Sequence, residues 1–290
     1  MKLAEFYNQV IKLGLDRDVR KRPGKNPFPD TALLYGDLDT QVRKIMVGVD
    51  IEVGELVLAD RLREKEGLDL VVSHHPEGIG LAGLPLVMRL QVDILVKMGL
   101  KESVASGLLT ERMREVERRV LPGNLTRAVD AARLLNIPFM CMHTPADNHV
   151  EQFIIALMKK KNPRKIKDII DILNQLPEYK AAAKNLLSPR IIAGSPNRPV
   201  GKILVEMTGG TEGNKDVFDK LYKSGVRTLI SMHLSEEHLK KAKEANLNAV
   251  IAGHISSDNL GINLLLDRLE DKAGYQFATI NCSGFLRIRR

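Results

Sequence analysis

Cysteine is scarce in this chain: 290 residues hold only Cys141 and Cys282. Two thiols cannot make a disulfide framework, and no thiol cluster argues for a purely structural zinc. An N-terminal apolar run with a cleavage site and a stretch of membrane length are both missing, so the expectation is a soluble cytoplasmic protein with no membrane partner. The densest basic stretch, "KKKNPRKIK" from Lys159 to Lys167, lacks interleaved aromatics on which bases could stack. It reads as a solvated helix end, and nucleic-acid binding rests on charge alone. No short-period repeat is evident.

What is present is an apolar fraction of 44%, enough for the cores of two ordinary domains or one large one. The formal net charge of +8 favours anionic partners in general without choosing between nucleotides, nucleic acid and metabolites. "KLAEFYNQVIKLGLD" has helical apolar spacing, and the Pro/Gly-rich "RKRPGKNPFPD" after it is a loop. "VRKIMVGVDI", "GELVLADRLREKEG" and "LDLVVSH" then form a strand, helix and strand. Leu84 to Leu121 reads as mostly helical with a break near Gly99, and "PFMCMH" as a short strand. From Val150 to Leu187 the pattern is helical and polar, more a connection than a core. Beyond it strand and helix alternate again. The expectation is α/β with mixed or largely parallel sheets in two lobes, 1–150 and 151–290, where the chain can return to complete the first lobe.

Polar residues gather past strand ends in "SHHPEG", "MHTPADNHV" and "AGHISSDN", the kind of position where α/β sheets bind ligands. His74 and His75 can share a site only where the strand breaks, since successive strand residues face opposite ways. Each would then serve one of two neighbouring metals; two hydrogen-bonded histidines at a strand end is the structural alternative. In "HTPADN", Pro145 favours a loop, and Asp147 is the carboxylate chosen to bridge two cations, unless it caps the next helix. His143 reads as a hydrogen-bond donor to the site and His149 as structural. His254 and Asp258, four apart at a helix start, form a metal-binding pair, unless Ser257 or Asp258 caps a helix at Asn259 to Asp271. Together, His74, His75, Asp147, His254 and Asp258 would give two divalent cations two or three contacts each and leave room for water. Mixed imidazole and carboxylate donors suit zinc, manganese, iron or cobalt. The loop "TGGTEGN" either cradles an anion or is a plain turn.

The runs "GVDIEVGELVLADRLREKEGLDLVVSHHPEGI", "HTPADN" and "GGTEGNKDVFDKLYKSGVRTLISMHLSEEHLKKAKEANLNAVIAGHISSDNLG" resemble, in order and spacing, the motifs of the Nif-three-like (NGG-one-interacting-factor) family, often labelled GTP cyclohydrolase type 2-like. The resemblance implies a two-lobed α/β protein with a dinuclear metal centre in the cleft, commonly assembled as a hexameric ring. It places the paired histidines on His74 and His75, the bridging aspartate on Asp147 and the later histidine on His254. Its last ligand is usually glutamate; Asp258 is one methylene shorter, so either the helix sits closer or one ion is held more loosely. "HHPEGIGLAG" departs from the family's bulky apolar residues and adds Glu77, a proton carrier or a solvent-facing carboxylate. His238 matches a histidine often seen in the family, so Asp147 and His238 are the candidate catalytic residues, the latter orienting substrate or moving protons; an exposed structural role is its alternative. His233 also lies past a strand and is a cleft candidate. The expected function is a metal-dependent hydrolase of a small anionic or nucleotide-like substrate, attacked by a water that two cations activate. The alternative is a metal-handling or scaffold protein without turnover.

Overall fold

The computed structural model describes residues 1–20 and 23–290; the part of the expected loop at 21–22 lies outside the described residues. In chain order the elements are α1 (Leu3–Leu15), β1 (Ala32–Tyr35), β2 (Lys44–Gly48), α2 (Val53–Glu66), β3 (Leu70–Ser73), α3 (Ile79–Val87), α4 (Leu90–Lys97), α5 (Glu102–Val120), α6 (Arg127–Leu134), β4 (Phe139–Cys141) and α7 (Thr144–Lys161). There follow α8 (Ile166–Leu173), α9 (Pro177–Ala183), β5 (Arg190–Ala193), β6 (Lys202–Glu206), a 3-10 turn at Lys215–Val217, α10 (Phe218–Lys223), β7 (Val226–Ser231), α11 (Glu236–Glu244), β8 (Asn248–Ile251), α12 (His254–Ala273) and β9 (Ala278–Cys282).

Two mixed sheets organise these elements. The first is five-stranded in the order β1-β4-β3-β2-β9, with β1 its antiparallel member; the second is four-stranded in the order β5-β8-β7-β6, with β5 antiparallel. Strands β2 and β3 read as unbroken apolar runs because helices cover both faces of the sheet. Ile45, Val47, Leu70 and Val72 pack with Phe6, Val10 and Leu266 on one face, while Met46 and Val71 pack with Leu56 and Ala132 on the other. Two long helices tie the sheets together. α7 leaves the end of β4 and runs to the second core, while α12 leaves the end of β8 and returns the chain to β9.

Several expectations change here. The segment after Val150 is not a polar connection: Ile154, Met158, Ile166, Ile169, Leu173 and Tyr179 are buried against the second sheet. Burying side chains of this size contributes roughly 1.5–3 kcal/mol each, so the segment is core. The boundary at 150 falls inside the continuous helix α7. "TPADN" is helical rather than a loop, because Pro145 occupies the first turn, where its missing N–H costs nothing. α12 begins at His254, five residues earlier than the start expected at Asn259, and neither Ser257 nor Asp258 caps it. Residues 79–97 are long and apolar enough by composition to cross a membrane, against the expectation that no such stretch exists. In the fold they break at Met88 and Arg89 into α3 and α4, both packed on α5.

Candidate metal centre

Parallel strands end on one edge of a sheet, and that edge is where side chains are presented. In the first sheet β2, β3 and β4 finish at Gly48, Ser73 and Cys141, followed by Asp50, by His74 and His75, and by His143. In the second, β6, β7 and β8 finish at Glu206, Ser231 and Ile251, followed by Glu212, His233 and His254. The two edges face each other. A cavity of about 50 Å³ between them is lined by His143 and Asp147 from one side and by Glu206, Glu212, His233 and His254 from the other. Close packing of α7 on α12 brings the carboxylates together. A Cβ on Gly261 would lie 2.5 Å from the Ala146 carbonyl oxygen, so only glycine lets the two backbones approach this closely.

The donor atoms converge. Nε2 of His74 lies 3.4 Å from Oδ1 of Asp147 and 3.5 Å from Oδ1 of Asp258. The other Asp258 oxygen, Oδ2, lies 3.7 Å from Nε2 of His75 and 3.6 Å from Nε2 of His254. His143 Nε2 sits 3.6 Å from Oδ2 of Asp147. Three groupings, His74/His75/His143, His75/His254/Asp258 and His74/Asp147/Asp258, each place one ligand atom per residue within 4.8 Å of one another. Nε2 of His74 and both Asp258 oxygens are buried without a hydrogen-bond partner among the described residues. Leaving such atoms unmet costs roughly 1–3 kcal/mol each, and more when charged. Divalent cations placed among these atoms would satisfy all three, so the donor set fits metal.

Each imidazole is oriented by its other nitrogen. Nδ1 of His74 engages the Met142 carbonyl at 3.2 Å, Nδ1 of His75 the Asp50 carboxylate at 2.6 Å, and Nδ1 of His143 the Asp30 carboxylate at 2.8 Å. Fixing Nδ1 as the donor leaves Nε2 as the lone pair for a cation, the usual arrangement around protein-bound metals. Asp30 is itself fully buried and accepts a second hydrogen bond from the Thr144 hydroxyl at 2.6 Å. Charge reinforces the geometry. Burial alone would lower the pKa of His74, but the Asp258 and Asp147 carboxylates override it and raise it to about 10. Burial and the charge of His74 push His75 down to about 4. Burial would raise the pKa of Asp258, yet His74 and the neighbouring histidines hold it below the ordinary carboxylate value. Without a cation, a proton on His74 stands between the two carboxylates.

All five residues expected as ligands are therefore brought together. Asp258 faces histidines on both sides, His74 by Oδ1 and His75 and His254 by Oδ2, whereas Asp147, the expected bridge, faces His74 and His143. The short Asp258 side chain reaches three imidazoles because the helix sits close. His143, expected only as a donor to the site, presents its own Nε2 to the cluster. His238 is not part of it: its Nδ1 engages the Ser235 hydroxyl at 2.7 Å and its Nε2 the Gly213 carbonyl at 2.9 Å, so neither nitrogen is left for chemistry. His233 lines the cavity instead, its ring centre 4.8 Å from that of His254 and its Nδ1 3.4 Å from Glu212. His149 lies away from the site, with Nδ1 on the Pro145 carbonyl and Nε2 facing Arg268. Glu77 is half-buried, and burial followed by the charge of Glu52 raises its pKa to about 7. The "TGGTEGN" loop is a turn tied down by Gln91, whose amide donates to the carbonyls of Gly209 and Thr211. Sequence reasoning missed Asp50, Asp30 and Glu212. Asp50 follows β2 by two residues and obeys the same strand-end rule; Asp30, in a proline-rich loop, carries no such signal.

Comparison with known proteins agrees with this architecture. A solved NIF3 superfamily protein from Sphaerobacter thermophilus is 26% identical, superposes with a TM-score of 0.78, and the match covers 94% of this chain and 97% of that one. Reduced HcgD from Methanocaldococcus jannaschii shares the fold at 16% identity, with a TM-score of 0.57 and coverage of 97% of both chains. Among curated proteins, sulfate adenylyltransferase subunit 2 of Vibrio atlanticus is 34% identical over 112 residues, which is 35% of this chain and 33% of that protein. The chain thus spans about a third of the length of the curated relatives it matches. The Duf34/NIF3 (NGG1p interacting factor 3) family profile matches residues 113–283, more than half of the chain, including His143, Asp147, His254 and Asp258. With this match and the superposition over nearly its whole length, the chain belongs to the Duf34/NIF3 family.

Proposed function

We propose that the chain is a metal-dependent hydrolase built on two divalent cations, one held by His74, Asp147 and Asp258 and the other by His75, His254 and Asp258, with His143 beside the first. The observation that carries this reading is Asp258, whose two buried oxygens lack hydrogen-bond partners among the described residues and face different histidines. Two such ions would supply Lewis acidity and lower the pKa of a shared water, and their mixed donors suit zinc, manganese, iron or cobalt.

The remaining residues orient and carry protons. Burial would raise the pKa of Glu212, but His233, the Ser235 amide and His238 bring it down to about 2, so Glu212 is a fixed acceptor. Its hydrogen bond raises the pKa of His233. A protonated His233 beside His254 is placed to donate to a leaving group. Thr208, whose hydroxyl donates to the Asn148 side chain at 2.7 Å, and Ser231, whose hydroxyl donates to the His233 carbonyl at 2.8 Å, hold the loop ends around it.

The anionic substrate expected from net charge draws no support from the cavity lining, which among the described residues holds four carboxylates and neither lysine nor arginine. Affinity for an anion there would have to come from the ions themselves. The test is a hydrolysis panel of nucleotides, phosphodiesters and neutral esters and amides, run on ion-loaded protein with Asp258→Asn as control. Turnover that persists in the variant contradicts the proposal. Retention of ions without turnover of any panel member supports the second reading, an ion-handling protein, which the small polar cavity favours.

A further inference from the structure

The polar cavity beside the cluster, at about 50 Å³, holds a reacting group and one or a few waters but not the body of a substrate. Two larger spaces share a wall residue with it. One, of about 440 Å³, meets it at Glu212 and is walled by charge: Arg112 and Arg119 are taken by Glu115, Arg118 faces Glu111, and Lys215 is taken by Glu237. Its cations are already partnered within the protein. The other, of about 680 Å³, meets the cavity at His254 and is walled mainly by Ile192, Ile251, Ile255, Leu286 and Ile288. That volume is typical of small-molecule sites.

Several polar side chains of this second chamber are engaged within the protein, while Arg190 in its wall faces no carboxylate among the described residues. Glu178 accepts from Arg290 at 2.6 Å and from Asn263 at 3.2 Å. The Asn259 amide donates to the Gly284 carbonyl at 2.8 Å, and Arg190 donates to the Leu186 carbonyl at 2.7 Å. The wall formed by residues 284–288 is pinned rather than loose, since Arg287 bonds both Asp267 at 2.6 Å and Glu270 at 2.9 Å. A space walled mainly by aliphatic side chains favours the apolar surface of a ligand.

We propose that this chamber receives the body of the substrate, and that the substrate is a largely apolar small molecule carrying one polar, reactive end at His254. The assignment rests on the two-ion reading of the site, because His254 belongs to both the chamber wall and the ion cluster.

The test uses the full chain loaded with zinc and the neutral fluorophore N-phenyl-1-naphthylamine as probe. Saturable binding of about one probe per chain is expected, falling more than tenfold in Ile192→Trp and Ala182→Trp, which fill the chamber, while ion content stays at the wild-type level. A second arm needs no variant: replacing zinc by manganese(II) should broaden the nuclear magnetic resonance lines of the bound probe. Absence of saturable binding, unchanged affinity in both filled variants, or bound probe that manganese leaves sharp overturns the proposal. If wild-type protein binds no probe and Ile192→Trp alters its oligomeric mass, the chamber is an interface between copies and the proposal is equally overturned. A protein that takes up no ion refutes the two-ion reading instead, and the first arm still judges the chamber.

Discussion

Oδ1 of Asp258 lies 3.5 Å from Nε2 of His74, and Oδ2 of the same carboxylate lies 3.7 Å from Nε2 of His75. Two histidines adjacent in sequence thus meet opposite oxygens of one carboxylate from the other end of the chain. They can do so because β3 ends at Ser73 and the chain bends there, the Ser73 hydroxyl donating to the His75 carbonyl at 2.8 Å.

This sharing separates two variants that the sequence alone would treat as equivalent. Asp258→Asn is expected to lose both ions, whereas Asp147→Asn loses the ion on the His74 side and keeps the one on His75 and His254. Elemental analysis of each purified variant checks this. Equal loss in both variants would mean that the carboxylates play the same part.

Orienting groups should matter nearly as much as ligands. Asp30→Asn leaves the His143 ring without its charged acceptor and is expected to weaken ion binding by roughly 10–100-fold, the usual range for such partners. Titration calorimetry of variant and wild type measures it; an unchanged affinity would remove Asp30 and His143 from the site.

Gly261→Ala couples packing to binding. The added Cβ would meet the Ala146 carbonyl at 2.5 Å, and backbone cannot yield cheaply, so a loss of roughly 1–3 kcal/mol in stability is expected. Because the same contact sets the approach of Asp258 to Asp147, ion affinity should fall with it. Thermal unfolding read alongside ion titration tests the link, and a destabilised variant with wild-type affinity would break it.

Ion binding should release protons. With the His74 pKa raised to about 10, the ion-free protein carries a proton at pH 8 that a cation must displace. Calorimetric heats measured in buffers of different ionisation enthalpy should therefore diverge, by about one proton per chain or more. Heats independent of the buffer would contradict the protonated cluster.

Away from the site, His149 sets an acid limit. Burial is the main cause that holds its pKa down at about 4, below its unfolded value near 6.5, so the unfolded chain binds the extra proton between these pH values. Stability is full above about pH 6.5 and falls as pH drops toward 4, by roughly 3 kcal/mol for this group. His149→Gln should flatten that part of the profile in denaturant unfolding at a series of pH values; a profile of unchanged slope would assign the acid loss to other groups.

How much of this was legible in the sequence follows from the range of the interactions involved. Strands β2, β3, β6, β7 and β8 and the polar residues after them are local patterns, and they located His74, His75 and His254 directly. The helix at Thr144 was hidden because proline breaks a helix everywhere except in its first turn. Asp147 reads as the bridge because it is a carboxylate at the family's bridging position, while the meeting of Asp258 with histidines on both sides depends on the crossing of α7 and α12, set by Ala146 and Gly261, 115 positions apart. The capture of both His238 nitrogens by Ser235 and Gly213 is likewise a tertiary matter, invisible to spacing.

The most direct measurement is anomalous diffraction from a crystal of protein loaded with zinc or manganese. Two peaks are expected, one beside each oxygen of Asp258, the first within reach of His74 and Asp147 and the second within reach of His75 and His254. No peak at the cluster, or a pair of ions joined through Asp147 with Asp258 outside their coordination, would contradict the account.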